Sequence, residues 1–459
     1  MKTISSSIYE AFGLVVPASV ALLSQVQAVV PPPDGGYPNF NTAEGQNALF
    51  SLTTGSANTA VGWYSLFSNT EGSFNTAVGV GTLLFNVGDT TFYGKENTAM
   101  GAAALLFNTT GSFNTATGVA ALLSNTEGSG NTANGFYALY SNTTGGFNTA
   151  NGSFALSSNT TANFNTAIGD GALASNTTGE GNTANGFVAL QFNTIGGGTT
   201  AIGLGALFSN TEGVGNTAVG APTDLPQTTA ALGSNIDGAY NTAVGQGALN
   251  NNTTGDSNTA LGNSAGGAVI TASNVICVGA DVAGADVSNT TWMGNVYGVT
   301  TQSGTTAPVV VSDTGQLGTI ASSERFKKDI AGMENASDAI LSLRPVTFHY
   351  KTDTRGIPQF GLIAEEVAKV NPALVLPDKE GKPYSVRYDQ VNAMLLNEFL
   401  KEHKKVQEQG ATIIQQRKDF EAALAQQQKQ IEALTAGLQK VSAQLELSKA
   451  APQTVKNTD

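Results

Sequence analysis

A serine five residues ahead of a lysine occurs twice, in overlapping register, in Ala321-Ser-Ser-Glu-Arg-Phe-Lys-Lys-Asp-Ile330: Ser322 with Lys327, and Ser323 with Lys328. A serine hydroxyl is a weak nucleophile until a neighbouring base takes its proton, and a lysine serves as that base when burial or nearby cations lower its pKa. The chemistry of such a pair is acyl transfer; turned on its own chain, it cuts a peptide bond. A Ser–His–Asp triad has little to build on, because the only histidines, His349 and His403, stand near no nucleophile-elbow motif. His349 falls on an expected strand and reads as structural. The single cysteine, Cys277, excludes an intrachain disulfide framework and a multi-cysteine metal site, and reads as a buried thiol. No cofactor and no metal ion is implied.

Two kinds of chain meet at this pair. Before it, Asn-Thr-Ala-x-Gly begins at Asn41, Asn58, Asn75, Asn97, Asn114, Asn131, Asn148, Asn165 and Asn182; a Thr-Thr-Ala version follows at Thr199, then Asn216, Asn241 and Asn258. The spacing is 17 residues apart from steps of 22 and 25, which mark insertions around Thr90 and around Asp224–Gln227. A period this short and strict is the mark of stacked β-coils rather than of a globular enzyme. Asn-Thr-Ala-x-Gly alternates like a short strand, and the Ala-Leu pair of Gly171-Ala-Leu-Ala-Ser-Asn-Thr-Thr-Gly179 offers a second apolar contact. Ser-Asn-Thr-Thr-Gly supplies residues that tolerate tight turns. Strand–turn–strand coils are therefore expected, with Asn and Thr in ladders. The thin core of each coil favours several chains sharing one axis. The x position holds Val, Met, Ile or Leu in most copies but Glu44, Thr117, Asn134, Asn151 and Asn185 in others, so it is not a core position in every coil.

Beyond the junction the composition is that of a compact α+β domain. Leu343-Arg-Pro-Val-Thr-Phe-His-Tyr350 alternates as a strand, and Gly361-Leu-Ile-Ala-Glu-Glu-Val-Ala-Lys-Val370 has helical spacing that stops before Pro372. Ahead of it, Pro308–Gly318 reads as short strands about a turn at Asp313-Thr-Gly315. Heptads then run to Leu445: Leu396, His403, Gly410, Arg417, Leu424, Ile431, Leu438 and Leu445 at one seam position, and Phe399, Val406, Ile413, Phe420, Gln427, Leu434 and Val441 at the other. Their Leu424–Leu445 end is a good coiled coil, and heptads alone do not set the number of strands.

The repeats resemble the left-handed β-roll heads of trimeric autotransporter adhesins, on segments such as Asn216-Thr-Ala-Val-Gly220 and Asn274-Val-Ile-Cys-Val-Gly279. No membrane-anchor barrel of that family follows. Residues Ser322 to Gln409 resemble the C-terminal intramolecular chaperone domain of phage tailspikes and endosialidases, the peptidase S74 family. The likeness rests on Ser322 to Ile330, the Leu-Arg-Pro-Val-Thr-Phe strand, the Gly-Leu-Ile-Ala-Glu-Glu-Val helix, Asn371-Pro-Ala-Leu-Val375, Val386-Arg-Tyr388 and a Leu-rich helix from Val391. This resemblance implies a domain that drives trimerisation of a β-structured stalk and then releases itself before the serine. It also separates the two registers. The family's arginine stands three residues after the serine, where Ser322 has Arg325 and Ser323 has Phe326. Ser322 is thus the expected nucleophile, Lys327 its base, and Ala321–Ser322 the scissile bond.

Charge is divided as sharply as composition. Up to Ile320 the chain has only Lys2 and Lys95 against sixteen acidic residues, which leaves 19 of 21 basic and 18 of 34 acidic residues for the remainder. Nucleic-acid binding by the repeats is excluded, since it needs clustered Lys and Arg. Lys2, the apolar Ala11–Leu23 and Val26-Gln-Ala28 fit a secretory signal peptide, and no later run is long enough to span a membrane. The expected organisation is a signal at 1–28, a Pro/Gly-rich linker at 29–40, solenoid repeats at 41–287 and a β-rich neck at 288–321. An S74-like domain at 322–409, a coiled coil at 410–448 and a disordered tail at 449–459 follow. The whole is a mainly β, secreted or surface homotrimeric fibre that meets a cell-surface glycan or protein receptor, with a virion fibre as the alternative location. Its only enzymatic act would be a single-turnover serine autoendopeptidase reaction. The rivals are an adhesive fibre with an inert C-terminal domain and a tailspike-like enzyme acting on polysaccharide; the latter needs paired carboxylates, whereas the acids here are scattered through turns. Thr ladders ordering water, as in ice-binding solenoids, and Asn-x-Thr glycosylation acceptors are further readings, with ordinary stacking and turns as the simpler ones.

Overall fold

The computed structural model describes residues 37–89, 93–222 and 229–449. The expected signal, most of the linker and the tail lie outside them. The chain divides into two compact units, 1–304 and 305–459.

In the first unit, three-residue strands stack in sequence order into one parallel sheet of fifteen among the described residues, from β1 (Thr42–Glu44) to β15 (Thr291–Met293). Register is one repeat per step, with Thr above Thr and Ala above Ala, as in Thr132↔Thr149 and Ala133↔Ala150. The two insertions leave it unbroken: Thr76 pairs with Thr98, and Thr217 with Thr242. The sheet also continues past the last Asn-Thr-Ala copy, through β14 (Ile276–Val278) to β15.

Each motif residue has a physical task. Along every strand before β14 Thr and x face outward and Ala inward, and Ala60 to Ala243 of the motif are fully buried. The motif glycine has positive φ, and at Gly135 (φ 145°) an added Cβ would lie 2.3 Å from the carbonyl oxygen of Gly152 in the next coil. The motif asparagine is buried and welds coils together. Asn148 donates its backbone N–H and its Nδ2 to Asn131 Oδ1 (3.0 and 3.1 Å), and Nδ2 also to the Ala162 carbonyl (2.8 Å). A second buried ladder runs through Ser-Asn-Thr, where Asn142 Nδ2 donates to Asn125 Oδ1 at 2.7 Å.

The Ala-Leu side departs from a strand–turn–strand coil. It is no strand: the leucine and the residue two before it hold positive φ, as Tyr137 (56°) and Leu139 (50°) do. Left-handed backbone is unfavourable for branched side chains, but here the leucine is sealed in the core (Leu139 0 % exposed). Its amide still reaches the next coil, Leu139 N–H to the Ala155 carbonyl at 3.0 Å. Every side of the coil therefore bonds to its neighbour. The Ala, Leu and Asn core closes within one chain, so a shared axis is not needed to complete it.

The second unit is small hairpins and helices. Hairpin β16 (Val310–Val311)/β17 (Leu317–Gly318) turns at Asp313-Thr-Gly315 as expected. Hairpins β18 (Val346–Phe348)/β19 (Gln359–Gly361) and β20 (Val375–Pro377)/β21 (Pro383–Val386) follow, with α1 (Ala364–Val370) between them. A 62-residue helix, α2 (Tyr388–Lys449), ends the described chain. A core of Ile340, Val367, Leu374, Val386, Val391 and Met394 is closed by the first turns of α2. No helix among the described residues is long and apolar enough to cross a membrane.

Candidate functional site

Ser322 lies outside helix and strand, and the extended Ser323 after it leads into a short 3₁₀ turn, Glu324–Phe326, on which the amides of Phe326 and Lys327 donate to the carbonyls of Ser323 (3.1 Å) and Glu324 (2.9 Å). The Arg325 guanidinium stacks over the Phe326 ring, 4.7 Å from its centroid. Ala321, Ser322, Ser323, Lys327 and Lys328 are all exposed. The turn keeps serine and lysine on one short segment, yet no hydrogen bond joins Ser322 to Lys327. Lys327 is exposed in the single chain, with the cationic Lys328 next to it in sequence. The expected nucleophile and base are close in sequence and are not hydrogen-bonded to each other.

A serine–lysine contact that sequence reasoning missed is made elsewhere. Ser337, fully buried on the 3₁₀ helix Glu334–Ser342, receives Asn397 Nδ2 at 2.6 Å and Lys401 Nζ at 3.3 Å, and bonds to Glu398 Oε1. Lys401 is no base, however. Asp338 first, then Glu398, both 2.6 Å from Nζ, hold its pKa above the usual lysine range. Lys401, then Ser337, hold the Glu398 carboxyl below its usual range. The cluster fastens the 3₁₀ helix to α2. Asn397 and Lys401 fall outside the heptad seam on α2, and the i, i+4 spacing of these two polar residues was the available signal.

The motif residues expected from sequence form the frame of this domain. Arg344, from Leu-Arg-Pro, grips Glu366 of α1 through two bonds, Nε to Oε2 at 3.1 Å and its NH2 nitrogen to Oε1; Glu366 raises the arginine pKa, and Arg344 lowers that of the glutamate. Tyr388, from Val-Arg-Tyr, accepts the Leu362 amide on Oη at 2.9 Å. Gly361 is needed where that phenol passes, because a Cβ there would lie 2.7 Å from it. Arg387 donates its amide to the Leu374 carbonyl at 2.9 Å. His349 is exposed, on the residue after β18. On α2 the seam residues face solvent in the single chain, Phe399 and Leu438 being 66 % and 70 % exposed; Cys277, by contrast, is buried in β14.

A 17-residue β-solenoid followed in sequence by a hairpin-and-helix domain defines a repeat protein with a C-terminal module of its own. Residues 322–376 match the family model Peptidase_S74, described as the chaperone of endosialidase. The match begins at Ser322 itself and covers the 3₁₀ turn, the Arg344–Glu366 pair and α1. No curated protein matches the chain, and no solved structure does.

Proposed function

We propose that this chain is a secreted or surface fibre protein whose C-terminal domain is an intramolecular chaperone for a homotrimer and severs itself from the shaft at Ala321–Ser322. The observation that carries this reading is the chaperone-of-endosialidase match starting at Ser322. The apolar heptad seam exposed along α2 supports it: an α-helix 62 residues long presents Leu424, Ile431, Leu438 and Leu445 on one line, and such a line is stable when other helices cover it. Bringing chains together by the helix sets their register before the repeats stack. A repetitive shaft needs this, because sliding by one repeat leaves nearly the same contacts.

In the cut, Lys327 takes the Ser322 hydroxyl proton as Oγ attacks the Ala321 carbonyl carbon. The proton passes to the Ser322 nitrogen as the C–N bond breaks, leaving an ester on Oγ and a free amine. Water then hydrolyses the ester to the Ala321 carboxylate and restores the hydroxyl. Because both side chains lie in solvent in one chain, the reaction belongs to the assembled state, in which neighbouring chains bury Lys327. Cutting once would leave the shaft kinetically trapped.

The exposure of Ser322 and Lys327 also favours a second reading, an adhesive fibre whose C-terminal domain folds the shaft without cutting. Denaturing gels of wild type beside Ser322→Ala, with N-terminal sequencing of the smaller product, decide between them. A fragment starting at Ser322 in wild type alone supports cleavage; full-length chains in both leave only the chaperone reading.

A further inference from the structure

Outside the C-terminal domain, the first seven coils carry an aromatic ridge on the Ala-Leu side. Rings from different parts of the repeat meet on it: Tyr64 with Phe67 (centroids 4.8 Å apart) and Tyr137 with Tyr140 (4.7 Å). Rings of successive coils stack along it, as Phe85 on Phe107 (5.5 Å) and Tyr137 on Phe154 (5.6 Å). Val80, Val119 and Phe136 fill the line, each more than two-fifths exposed. The sixth, seventh, tenth and eleventh residues of each repeat, which make this side, contain no Asp, Glu, Lys or Arg from Gln46 to Ser158; the first charge in the series is Asp170, in the eighth coil. The acids gather instead on the corner formed by residues 14 to 17 of each repeat, at Glu71, Glu96, Glu127, Glu180, Glu212 and Asp256; that corner also exposes the rings of Phe74, Phe113, Phe147, Phe164 and Tyr240, but among those acids.

We infer that the ridge from coil one to coil seven is the face by which shafts of this protein pack on one another, its occupant being a second copy of this chain. The inference rests on the homotrimer reading above and adds the surface. Charge decides the occupant. Each chain carries sixteen acids against two basic residues before Ala321, so copies approaching by the acidic corner would set like charges face to face. Turned ridge to ridge, they bury aromatic area with no ion desolvated and keep every acidic corner in water. The outer sheet face is a poorer seam, since its x column is interrupted by Glu44, Thr117, Asn134, Asn151 and Asn185. A contiguous exposed apolar strip is itself the mark of an interaction surface. Because the solenoid core closes within one chain, the ridge is also what would hold the shafts together once the C-terminal domain has left.

The test uses the full chain with one cysteine added on the ridge, Ser124→Cys, or beyond the inward-pointing Asn125 of the same coil, Glu127→Cys. The native Cys277 is buried and silent. A short bis-maleimide is added at micromolar protein while light scattering reports the number of chains. Ridge packing predicts covalent dimers from Ser124→Cys on the order of 1,000-fold faster than from Glu127→Cys, the ratio of a millimolar effective concentration to micromolar protein. Three chains by light scattering with equal cross-linking of the two variants overturns the ridge and leaves the homotrimer standing; the ridge would then be open to a glycan or another protein. One chain by light scattering overturns both.

Discussion

Ser337 and Lys401 touch at 3.3 Å, whereas Ser322 and Lys327 share no hydrogen bond and both lie exposed, so the two pairs stand in opposite surroundings. A lysine between two carboxylates keeps its proton, so the buried pair is a fastener. Replacing Ser337 by alanine strips Asn397 of an acceptor and removes a buried hydroxyl, which should lower the unfolding free energy of the domain by about 1–3 kcal/mol, measured by chemical denaturation. The Ser322 pair answers differently. Lys327→Arg preserves the charge and offers no base, so if the cut is made there it should slow by at least about 10²-fold, read as fragment formation over time, with the melting curve unchanged. Equal rates in Lys327→Arg and wild type would remove Lys327 from the mechanism. At this scale the sequence offers pairs of neighbours in the chain, such as Ser322 and Lys327, as candidates. It was mute where partners lie 60 or more residues apart, as for Ser337 with Asn397 and Lys401.

The element most exposed to failure is the end of the solenoid stack, because a coil without a successor has unpaired amides. In regular coils three successive N–H groups converge on one carbonyl of the next coil, as Thr53, Thr54 and Gly55 do on Thr70. Near the C-terminal end Asp286 replaces that carbonyl: its Oδ1 accepts the amides of Ile270, Thr271 and Ala272 at 2.9, 2.8 and 2.7 Å, and its Oδ2 the Thr271 hydroxyl. These three amides, Ile270 foremost, hold the carboxyl at a pKa of about 2 against the usual 3.8. A depressed carboxylate pKa gives stability that is fully present above the unfolded value and is lost as pH falls through the folded one. Amide exchange at Ile270–Ala272 should therefore quicken, beyond its intrinsic pH trend, between about pH 4 and about 2; in Asp286→Ala it should be fast already at about pH 5 and show no such step. Within the stack, Asn148→Thr should be milder than Asn148→Ala in thermal melts. Thr199 fills the same ladder natively, its Oγ1 donating to the Gly213 carbonyl (3.5 Å) in the place of the Asn148 Nδ2–Ala162 bond, whereas alanine keeps no polar side-chain atom there. Period and inward faces were plain in the repeat itself. The positive-φ Ala-Leu side was not, since a leucine pattern says nothing of the backbone sign that stacking amides impose, and Asp286 looked like one more acid in a turn.

Over the whole molecule, the two units have opposite needs for company. The solenoid buries its Ala, Leu and Asn inside one chain, so its thin core is no argument for three chains sharing an axis. The helix leaves its seam in water: Phe399, Ile413, Phe420, Leu434 and Leu438 each expose three-fifths or more of their surface. Association, if it follows the seam, is therefore driven from the C-terminal unit, and its strength should lie in Leu424–Leu445, since His403, Gly410 and Arg417 interrupt the line nearer the domain. Ile431→Asp with Leu438→Asp sets charges in the centre of that seam, where each would be desolvated against its own copies. Sedimentation of the double variant, at dilutions where ridge contacts alone do not hold shafts together, should show single chains where wild type shows three, with the far-ultraviolet spectrum still carrying the solenoid signal, because the stack needs no partner to close. The same variant should release no shaft fragment if the proposed cut belongs to the assembled state. An assembled double variant would move the trimer contact off the helix. A dissociated variant that still cuts would show that one chain completes the Ser322–Lys327 pair by folding back on itself.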